Sequence, residues 1–396
     1  MSSGIFVRCS DDDLYSHMLA ILERLVGFDT TSSNSNIELV HYVQELISEN
    51  GISSQLYWNE EHTKASLVAT AGARSNERGV IWSAHTDVVP VEGQSWSADP
   101  FELRIEQGVA IGRGTADMKG FIACCLAILS RVDQSGLTTP ITLMLTYDEE
   151  VGCVGARQLV DEMRTWAGVK GCIVGEPTGL EVVVGHKGKQ IHKVRFIGES
   201  RHAALAPQVT NPIVSSVSFV GTVQALNERF RSEGPHDDRF DIGHSWINVG
   251  RIFGGLKANI VPEDCVLELE IRNVPGHDCD RIAAELMDHV GAGLCTDGSA
   301  NYEVAEVSTE QLSDTPSFTI DPAHEFVTFV RRSFGAEQDP LWVPFGTEAG
   351  IIWGCAGIPA VVCGPGFITE AHTANEFISL DQLSKCLRYL QSLPLV

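Results

Sequence analysis

The segment Ile141–Gly152 constrains the fold most, because its continuous apolar run ends abruptly in three acidic residues. Pro140 precedes the run, and the residues in it are mostly β-branched or large and apolar. This composition predicts a buried strand of a parallel sheet. The acidic residues 148–150 would then lie at the carboxyl edge of the sheet, where open α/β sheets bind ligands. A solvated loop without a chemical role is the alternative that this segment alone leaves open.

Length, charge and cysteine content limit the classes of protein that this chain can belong to. A chain of 396 residues predicts two domains. The net charge, 28 − 52 = −24, argues against nucleic acid or an anionic membrane surface as a partner. Neither a signal-peptide core nor a membrane-length apolar segment is evident, which predicts a cytoplasmic protein. The eleven cysteines form no C-x-x-C pair, so we expect small buried side chains and neither a disulfide framework nor a thiolate zinc site.

The first third of the chain alternates predicted helices and strands. Its second predicted strand is followed at once by His85 and Asp87, which share one side of an extended segment because side chains alternate with period two. We interpret them as a metal ligand and the residue that orients it, whereas a surface pair at a strand end is the plain alternative. The predicted elements are helices at Leu14–Gly27 and Ser35–Glu49 and strands at Ser66–Thr70 and Gly79–Ala84.

The glycine-rich segment Gly108–Gly120 precedes a predicted apolar helix, Phe121–Val132. Its glycine spacing fits neither the dinucleotide-binding fingerprint nor the Walker pattern, so a phosphate loop is disfavoured. We interpret the glycines as residues that let the backbone pass close to a site and deliver Asp117 into it.

The pattern of a strand, a ligand-type residue and a helix repeats along the chain. A helix at Gly155–Trp166 precedes the strand Gly171–Gly175, which is followed by Glu176. A later strand, Ile358–Cys363, is followed by a loop that carries His372. This repetition predicts an α/β fold with a mixed, mostly parallel sheet flanked by helices, and with its polar residues along one edge.

Between these segments the pattern changes to that of a smaller α+β insert with an antiparallel sheet and two helices. We therefore expect a catalytic domain in two parts, 1–186 and 301–396, interrupted by a dimerisation or lid domain at 187–300. Residues 308–322 are interpreted as a linker. The predicted elements of the insert are strands at Gln190–Gly198, Trp246–Phe253 and Val266–Asn273 and helices at Asn211–Phe230 and Asp280–Val290.

The polar residues at these predicted strand ends form the ligand set of a hydrolytic site with two zinc ions. The candidate ligands are His85, Asp117, Glu150, Glu176 and His372. One carboxylate shared by two metals, for which Asp117 is the candidate, allows a bridging water to be activated while the substrate carbonyl is polarised. Glu149 is then the candidate general base, and Asp87 orients His85.

By these motifs the chain resembles the co-catalytic zinc amidohydrolases, a family of deacetylases, desuccinylases, aminoacylases and dipeptidases. The matching segments are Ser83–Asp87, Gly114–Gly120, Asp148–Gly152, Gly175–Thr178 and Ala371–His372, in the family's order and spacing. The resemblance implies two zinc ions per subunit, which cobalt or manganese can replace. It also implies the ligand sets: His85, Asp117 and Glu176 for one metal, and Asp117, Glu150 and His372 for the other. A cis peptide bond after Asp117 is implied as well.

The insert shares this resemblance at Gly198–His202 and Gly254–Pro262. It implies a homodimer in which His202 stabilises the oxyanion in the partner's site, and in which Asn259 meets the substrate. One departure is that Ala203 and Ala204 follow the histidine where relatives have small hydroxyl residues. Arg272 is a candidate clamp for a substrate carboxylate, with a structural surface arginine as the alternative.

Three further segments look most like the acetylornithine deacetylases within this family: Glu270–Gly276, Gly346–Gly350 and Val362–Gly366. This resemblance implies hydrolysis of the small molecule N2-acetyl-L-ornithine to acetate and L-ornithine, in arginine biosynthesis. Glu348 is the candidate partner of the ornithine ammonium group, although it could instead cap the helix that follows it. A broader N-acyl-amino-acid hydrolase, a succinyl-diaminopimelate desuccinylase and a binding homologue without metal remain alternatives.

Overall fold

The computed structural model describes residues 4–72, 77–291, 306–335 and 338–393 of the chain. Its helices are α1 Asp11–Val26, α2 Ile37–Ser48, α3 Gly120–Leu129, α4 Val154–Gln158, α5 Val160–Met163, α6 Pro212–Glu233, α7 Cys279–Gly291, α8 Glu325–Phe334, α9 Ala349–Gly354 and α10 Leu380–Ser392. Its strands are β1 Ser54–Trp58, β2 Ala65–Ala71, β3 Glu77–His85, β4 Arg104–Glu106, β5 Val109–Ile111, β6 Ile141–Thr146, β7 Ala167–Pro177, β8 Val183–His186, β9 Gly188–Ile197, β10 Arg201–His202, β11 Trp246–Gly254, β12 Ile260–Val261, β13 Asp264–Asn273, β14 Glu306–Thr315, β15 Phe318–Thr319, β16 Leu341–Val343, β17 Ala360–Gly364 and β18 Phe377–Ser379.

The chain divides into two compact units. The first unit comprises Met1–Gly185, Phe318–Trp342 and Thr347–Val396, and the second comprises His186–Ser317 and Val343–Gly346. The predicted insert, 187–300, therefore ends earlier than the second unit does. Among the described residues, no helix combines the length and the apolar character that a membrane crossing requires.

The first unit is built on a large mixed sheet with the strand order β1-β2-β6-β3-β7-β17-β8-β15, in which β16 also pairs with β8. Strand β3 runs parallel to both of its neighbours, β6 and β7, and β17 runs parallel to β7. The parallel strands therefore end at one edge, as predicted. All six residues of β6 are buried, which confirms the interpretation of its apolar run as a buried strand.

Helix α3 is apolar on every side and all ten of its residues are buried, as expected for a helix that is surrounded by other elements. It packs against α1, α10 and the sheet strands β3 and β7. The glycine before Glu176 permits this close packing, because a Cβ atom at Gly175 would lie 2.0 Å from the ring of Phe121 in α3. The core of the first unit thus supports the strand end that carries Glu176.

The second unit contains a four-stranded antiparallel sheet with the order β11-β13-β9-β14. Helices α6 and α7 pack against it around buried residues such as Phe196, Phe219 and Leu267. The predicted α+β insert is thereby confirmed.

Two predicted elements are wrong in detail. Residues 308–322 are not a linker, because Glu306–Thr315 forms strand β14 and pairs along β9. This strand is at a sheet edge and most of its side chains are exposed, so its sequence lacks the apolar alternation that marks a strand. The predicted helix at Gly155–Trp166 is instead two short helices, α4 and α5, that meet at Leu159.

Candidate metal centre

The five predicted ligands converge at the carboxyl edge of the large sheet. His85 ends β3, and Glu176 lies near the end of the adjacent parallel strand β7. Asp117 is delivered by an irregular turn, Thr115–Lys119, in which the Asp117–Met118 peptide bond is cis. Glu150 follows β6, and His372 lies in the loop after β17. Strand ends and adjoining loops therefore bring residues that are nearly 290 positions apart in sequence into one cluster.

Asp117 lies between two imidazole groups. Its Oδ1 atom is 2.9 Å from His85 Nε2, and its Oδ2 atom is 3.2 Å from His372 Nε2. On the first side, His85 Nε2 is also 3.8 Å from Glu176 Oε1. On the second side, His372 Nε2 is 3.0 Å from Glu150 Oε1. The geometry thus forms two donor groups that share Asp117.

The chemistry of this donor set fits divalent metal ions. Donor atoms of His85, Asp117 and Glu150 lie within 4.8 Å of one another, as do those of His85, Glu149 and Glu176. All of them are imidazole nitrogens or carboxylate oxygens, which suit zinc and other divalent cations. Among the described ion pairs, only imidazoles face the carboxylates of Asp117, Glu150 and Glu176. Such a concentration of buried carboxylates requires positive charge, which metal ions would supply.

Burial and neighbouring charges shift the pKa values of the cluster. Burial, reinforced by the charge of Asp117, raises the pKa of Glu176 well above its ordinary value. Burial alone would lower the pKa of His85, but its hydrogen bond to Asp117 and the surrounding carboxylates raise it well above the ordinary value. Hydrogen bonds to Asp117 and Glu150 raise the pKa of His372 to about 10. The carboxylates of this cluster thus favour the positively charged form of both imidazoles.

Glu149 lies in the same cluster, next to Glu150 in the turn after β6. A carboxylate oxygen of Glu149 lies within 4.8 Å of donor atoms of His85 and Glu176. Burial, together with the charges of Glu150, Glu348 and Asp87, raises its pKa to about 8 despite the opposing influence of His85. This carboxyl group is therefore close to the first donor group and has the acid–base chemistry to carry a proton.

Asp87 contacts His85 through its main chain and the acidic turn through its side chain. His85 Nδ1 makes its 2.9 Å hydrogen bond with the main-chain carbonyl of Asp87, and the Asp87 carboxylate lies farther away, at 3.6 Å. That carboxylate accepts hydrogen bonds from the main-chain N–H groups of Glu149 at 3.0 Å and Glu150 at 3.2 Å. The reason is that β3 ends at His85, so strand alternation does not continue to Asp87. Asp87 thus orients His85 through its backbone and holds the acidic turn with its side chain.

Glu348 is buried at the same edge, with an exposed fraction of 1%. Its carboxylate accepts hydrogen bonds from the hydroxyl groups of Ser83, at 3.0 Å, and Thr146. No lysine or arginine among the described residues forms an ion pair with it. It stands at the N-terminus of α9, yet its side chain makes no capping hydrogen bond. The side chain of Glu348 therefore does not cap α9, whereas its pairing with a substrate ammonium group stays a prediction.

A buried ion pair that no sequence motif indicates is hydrogen-bonded to the backbone of Asp117. Arg113 Nη1 donates to Glu376 Oε2 at 2.7 Å, and both side chains are buried. The other oxygen of Glu376 accepts from the main-chain N–H groups of Ala116, at 2.9 Å, and Asp117, at 3.1 Å. Only the position of Arg113 inside the glycine-rich segment was a signal, and nothing local pointed to Glu376.

Three predicted site residues belong to the second unit. His202 is exposed, and its Nδ1 atom accepts a hydrogen bond from the main-chain N–H of Ala204 at 3.1 Å. Asn259 is exposed too, and its main-chain carbonyl accepts a hydrogen bond from the main-chain N–H of Ala203 at 2.9 Å. Arg272 donates through Nε to Glu270 at 2.7 Å and through Nη1 to the carbonyl of Pro344 at 3.3 Å.

Comparisons with known proteins agree with this architecture. The chain is 32% identical to the acetylornithine deacetylase of Myxococcus xanthus over 379 residues, covering 94% of this chain and 96% of that protein. It is 30% identical to the acetylornithine deacetylase of Proteus mirabilis (strain HI4320) over 373 residues, covering 93% and 92%. Its fold is similar to that of the M20 family metallo-carboxypeptidase Sso-CP2 from Sulfolobus solfataricus, with a TM-score of 0.76, 19% identity and coverage of 96% of this chain and 98% of that one.

The sequence model of peptidase family M20/M25/M40 matches residues 81–395, a span that contains all five candidate ligands. This match and the identity to the two relatives agree with the family resemblance found from the motifs. The chain is a hydrolase and belongs to peptidase family M20/M25/M40.

Proposed function

We propose that this hydrolase removes the acetyl group from N2-acetyl-L-ornithine in the cytoplasm, giving acetate and L-ornithine for arginine biosynthesis. The observation that carries the proposal is the pair of donor groups that share Asp117, with the Glu149 carboxyl group beside them. The acetylornithine deacetylases that match more than nine-tenths of the chain support the choice of substrate.

Two metal ions, zinc in our proposal and replaceable by cobalt or manganese, would be held by these groups. His85, Asp117 and Glu176 would hold the first, and Asp117, Glu150 and His372 would hold the second. When bound, the metals would lower the pKa of a shared water toward neutrality and polarise the substrate carbonyl.

The chain itself contributes proton transfer and positioning. Glu149 takes the proton of the attacking water and delivers it to the leaving amine nitrogen. The Asp87 carboxylate keeps Glu149 in place through the main-chain N–H of that residue, at 3.0 Å. Arg272 and Asn259 are proposed to contact the substrate. The guanidinium group of Arg272 would bind the carboxylate of the substrate.

A broader N-acyl-amino-acid hydrolase is the second candidate function, and two observations favour it. The first is that Glu348, the carboxylate that suggested a cationic side chain, is buried and hydrogen-bonded to hydroxyl groups. The second is that the loop that carries His372 exposes two large apolar side chains, Phe367 and Ile368, at 46% and 38%. Exposed apolar side chains on the loop of a candidate ligand suit an apolar substrate side chain.

A substrate comparison on the metal-loaded enzyme separates these functions. We expect acetate release from N2-acetyl-L-ornithine with a kcat/KM at least about tenfold above that for N-acetyl-L-methionine, since placing a charged side chain correctly is worth more than about 1.4 kcal/mol. Equal values for both substrates would favour the broader hydrolase. No hydrolysis of either, and no succinate release from N-succinyl-diaminopimelate, would contradict the proposed function.

The variant Glu348→Gln tests the role of that carboxylate in the same comparison. Because the side chain is buried and bonded to Ser83 and Thr146, we expect kcat/KM to fall by a similar factor for both acetylated substrates. A loss confined to acetylornithine would instead make Glu348 the partner of its ammonium group.

We propose a homodimer formed by the second unit. The edge strand β11 exposes Ile252 and Phe253, and helix α6 exposes Val214 and Val217 on one face. In the neutral His202 ring, Nδ1 accepts a hydrogen bond, so the proton is on Nε2 and is available to an oxyanion. We propose that this group serves the active site of the partner subunit.

Subunit complementation tests the dimer and the role of His202 together. Mixing inactive Glu149→Gln chains with inactive His202→Ala chains should restore about a quarter of wild-type activity, because half of the random dimers contain one intact site of two. Subunit exchange is followed in parallel with chains of different mass. Complete exchange without recovered activity would show that His202 does not act across the dimer.

A further inference from the structure

The loop that presents His372 differs from the strand ends that present His85 and Glu176. His372 has a left-handed backbone conformation, with φ 59°, and its side chain is 46% exposed, whereas that of His85 is 1% exposed. An exposed ligand on a loop needs support from other parts of the chain if it is to keep a defined position.

The segment Gln94–Ser97 supplies this support. Gln94 Nε2 donates to the main-chain carbonyl of His372 at 2.8 Å. Ser97 donates through its main-chain N–H, at 2.9 Å, and its hydroxyl, at 2.6 Å, to Asn375 Oδ1. Three hydrogen bonds therefore join this segment to the loop on both sides of Thr373.

The other end of the Gln94 amide is also occupied. Its Oε1 atom accepts hydrogen bonds from Arg113 Nη2 and from Trp96 Nε1, the latter at 3.1 Å. These two donors determine the orientation of the amide, because a rotated group would turn its NH₂ toward them. Arg113 in turn pairs with Glu376, which accepts from the main-chain N–H of Asp117. A continuous hydrogen-bonded path thus connects the backbone of His372 to the backbone of Asp117.

We infer that Gln94 is a positioning residue for the second donor group, Asp117, Glu150 and His372. Gln94 holds His372 at its distance from Asp117 and so sets the affinity of this donor group for its metal. The inference rests on the proposed two-metal function. The first donor group depends less on Gln94, because His85 and Glu176 are supported by the parallel strands β3 and β7. Loss of Gln94 therefore weakens one metal site selectively.

The test is a Co²⁺ titration of the metal-free protein, in which binding is monitored by calorimetry and by visible absorption. We expect two binding steps in the wild type. In Gln94→Ala the weaker step should lose about 10- to 100-fold in affinity, the usual effect of removing a residue that orients a ligand, while the other step changes little. The matched control is Gln55→Ala, at an exposed position on β1, which should titrate like the wild type.

A second variant, Gln94→Glu, separates the two ends of the amide. A carboxylate can still accept from Arg113 and Trp96, but it cannot donate to the His372 carbonyl, so its titration should resemble that of Gln94→Ala. A wild-type titration for Gln94→Glu, or equal weakening of both steps in either variant, would overturn the inference. A wild type that binds a single equivalent would overturn the two-metal proposal and the inference with it, whereas two unchanged steps in Gln94→Ala would overturn the inference alone.

Discussion

Glu149→Gln should lower kcat by about 10²- to 10⁴-fold, the range that a lost general base produces, while metal content is unchanged. Glutamine has nearly the same shape as glutamate but cannot take a proton from water and pass it on. The main-chain N–H of residue 149 keeps its hydrogen bond to Asp87, so the turn should not move. Kinetics on acetylornithine and metal analysis of the same preparation provide the measurement.

The control for this variant is Glu45→Gln, at an exposed position in α2, which should retain wild-type turnover. Two results would contradict the assignment of Glu149. A wild-type rate would show that another group moves the proton. Loss of metal in proportion to activity would make Glu149 a ligand together with His85 and Glu176, a grouping that their donor atoms permit within 4.8 Å.

The fold and the convergence of the candidate ligands could be predicted because both depend on local patterns. Apolar runs such as Ile141–Thr146 identify buried strands, and parallel strands end at one edge. Polar residues that directly follow such runs therefore lie close together at that edge, as His85 and Glu176 do. Asp117 and His372 lie on turns, and their signals were the glycine-rich segment around Asp117 and the predicted strand that precedes the loop of His372.

The supporting contacts could not be predicted, since they join residues without a local signal. Glu376 and Gln94 lie in ordinary polar loops, and their partners are 263 and 278 positions away in the sequence. The hydroxyl groups that hold Glu348 likewise come from strands far along the chain. Strand β14 was missed for a different reason, because pairing with β9 and not burial determines its conformation. Long-range hydrogen bonding thus accounts for most of what the sequence did not reveal.

Removal of metal should abolish hydrolysis and lower the melting temperature. Without metal, hydrolysis should fall to background, because the shared water and the substrate carbonyl lose their activation. The melting temperature should fall as well, since a ligand that binds only the folded state adds about 2.7 kcal/mol at a hundredfold excess over its Kd. The physical reason for the lower melting temperature is that the carboxylates of Asp117 and Glu176 are buried and would lose the metal that neutralises their charge.

Above all, we propose that two metals share Asp117 and together support amide hydrolysis. The most direct measurement is a titration of the chelator-treated protein with zinc, in which bound metal per chain and acetate release from N2-acetyl-L-ornithine are recorded at every step. We predict two equivalents per chain, with full activity only when the second is bound. Full activity without metal, or two bound equivalents without hydrolysis of any N-acyl amino acid, would contradict the claim.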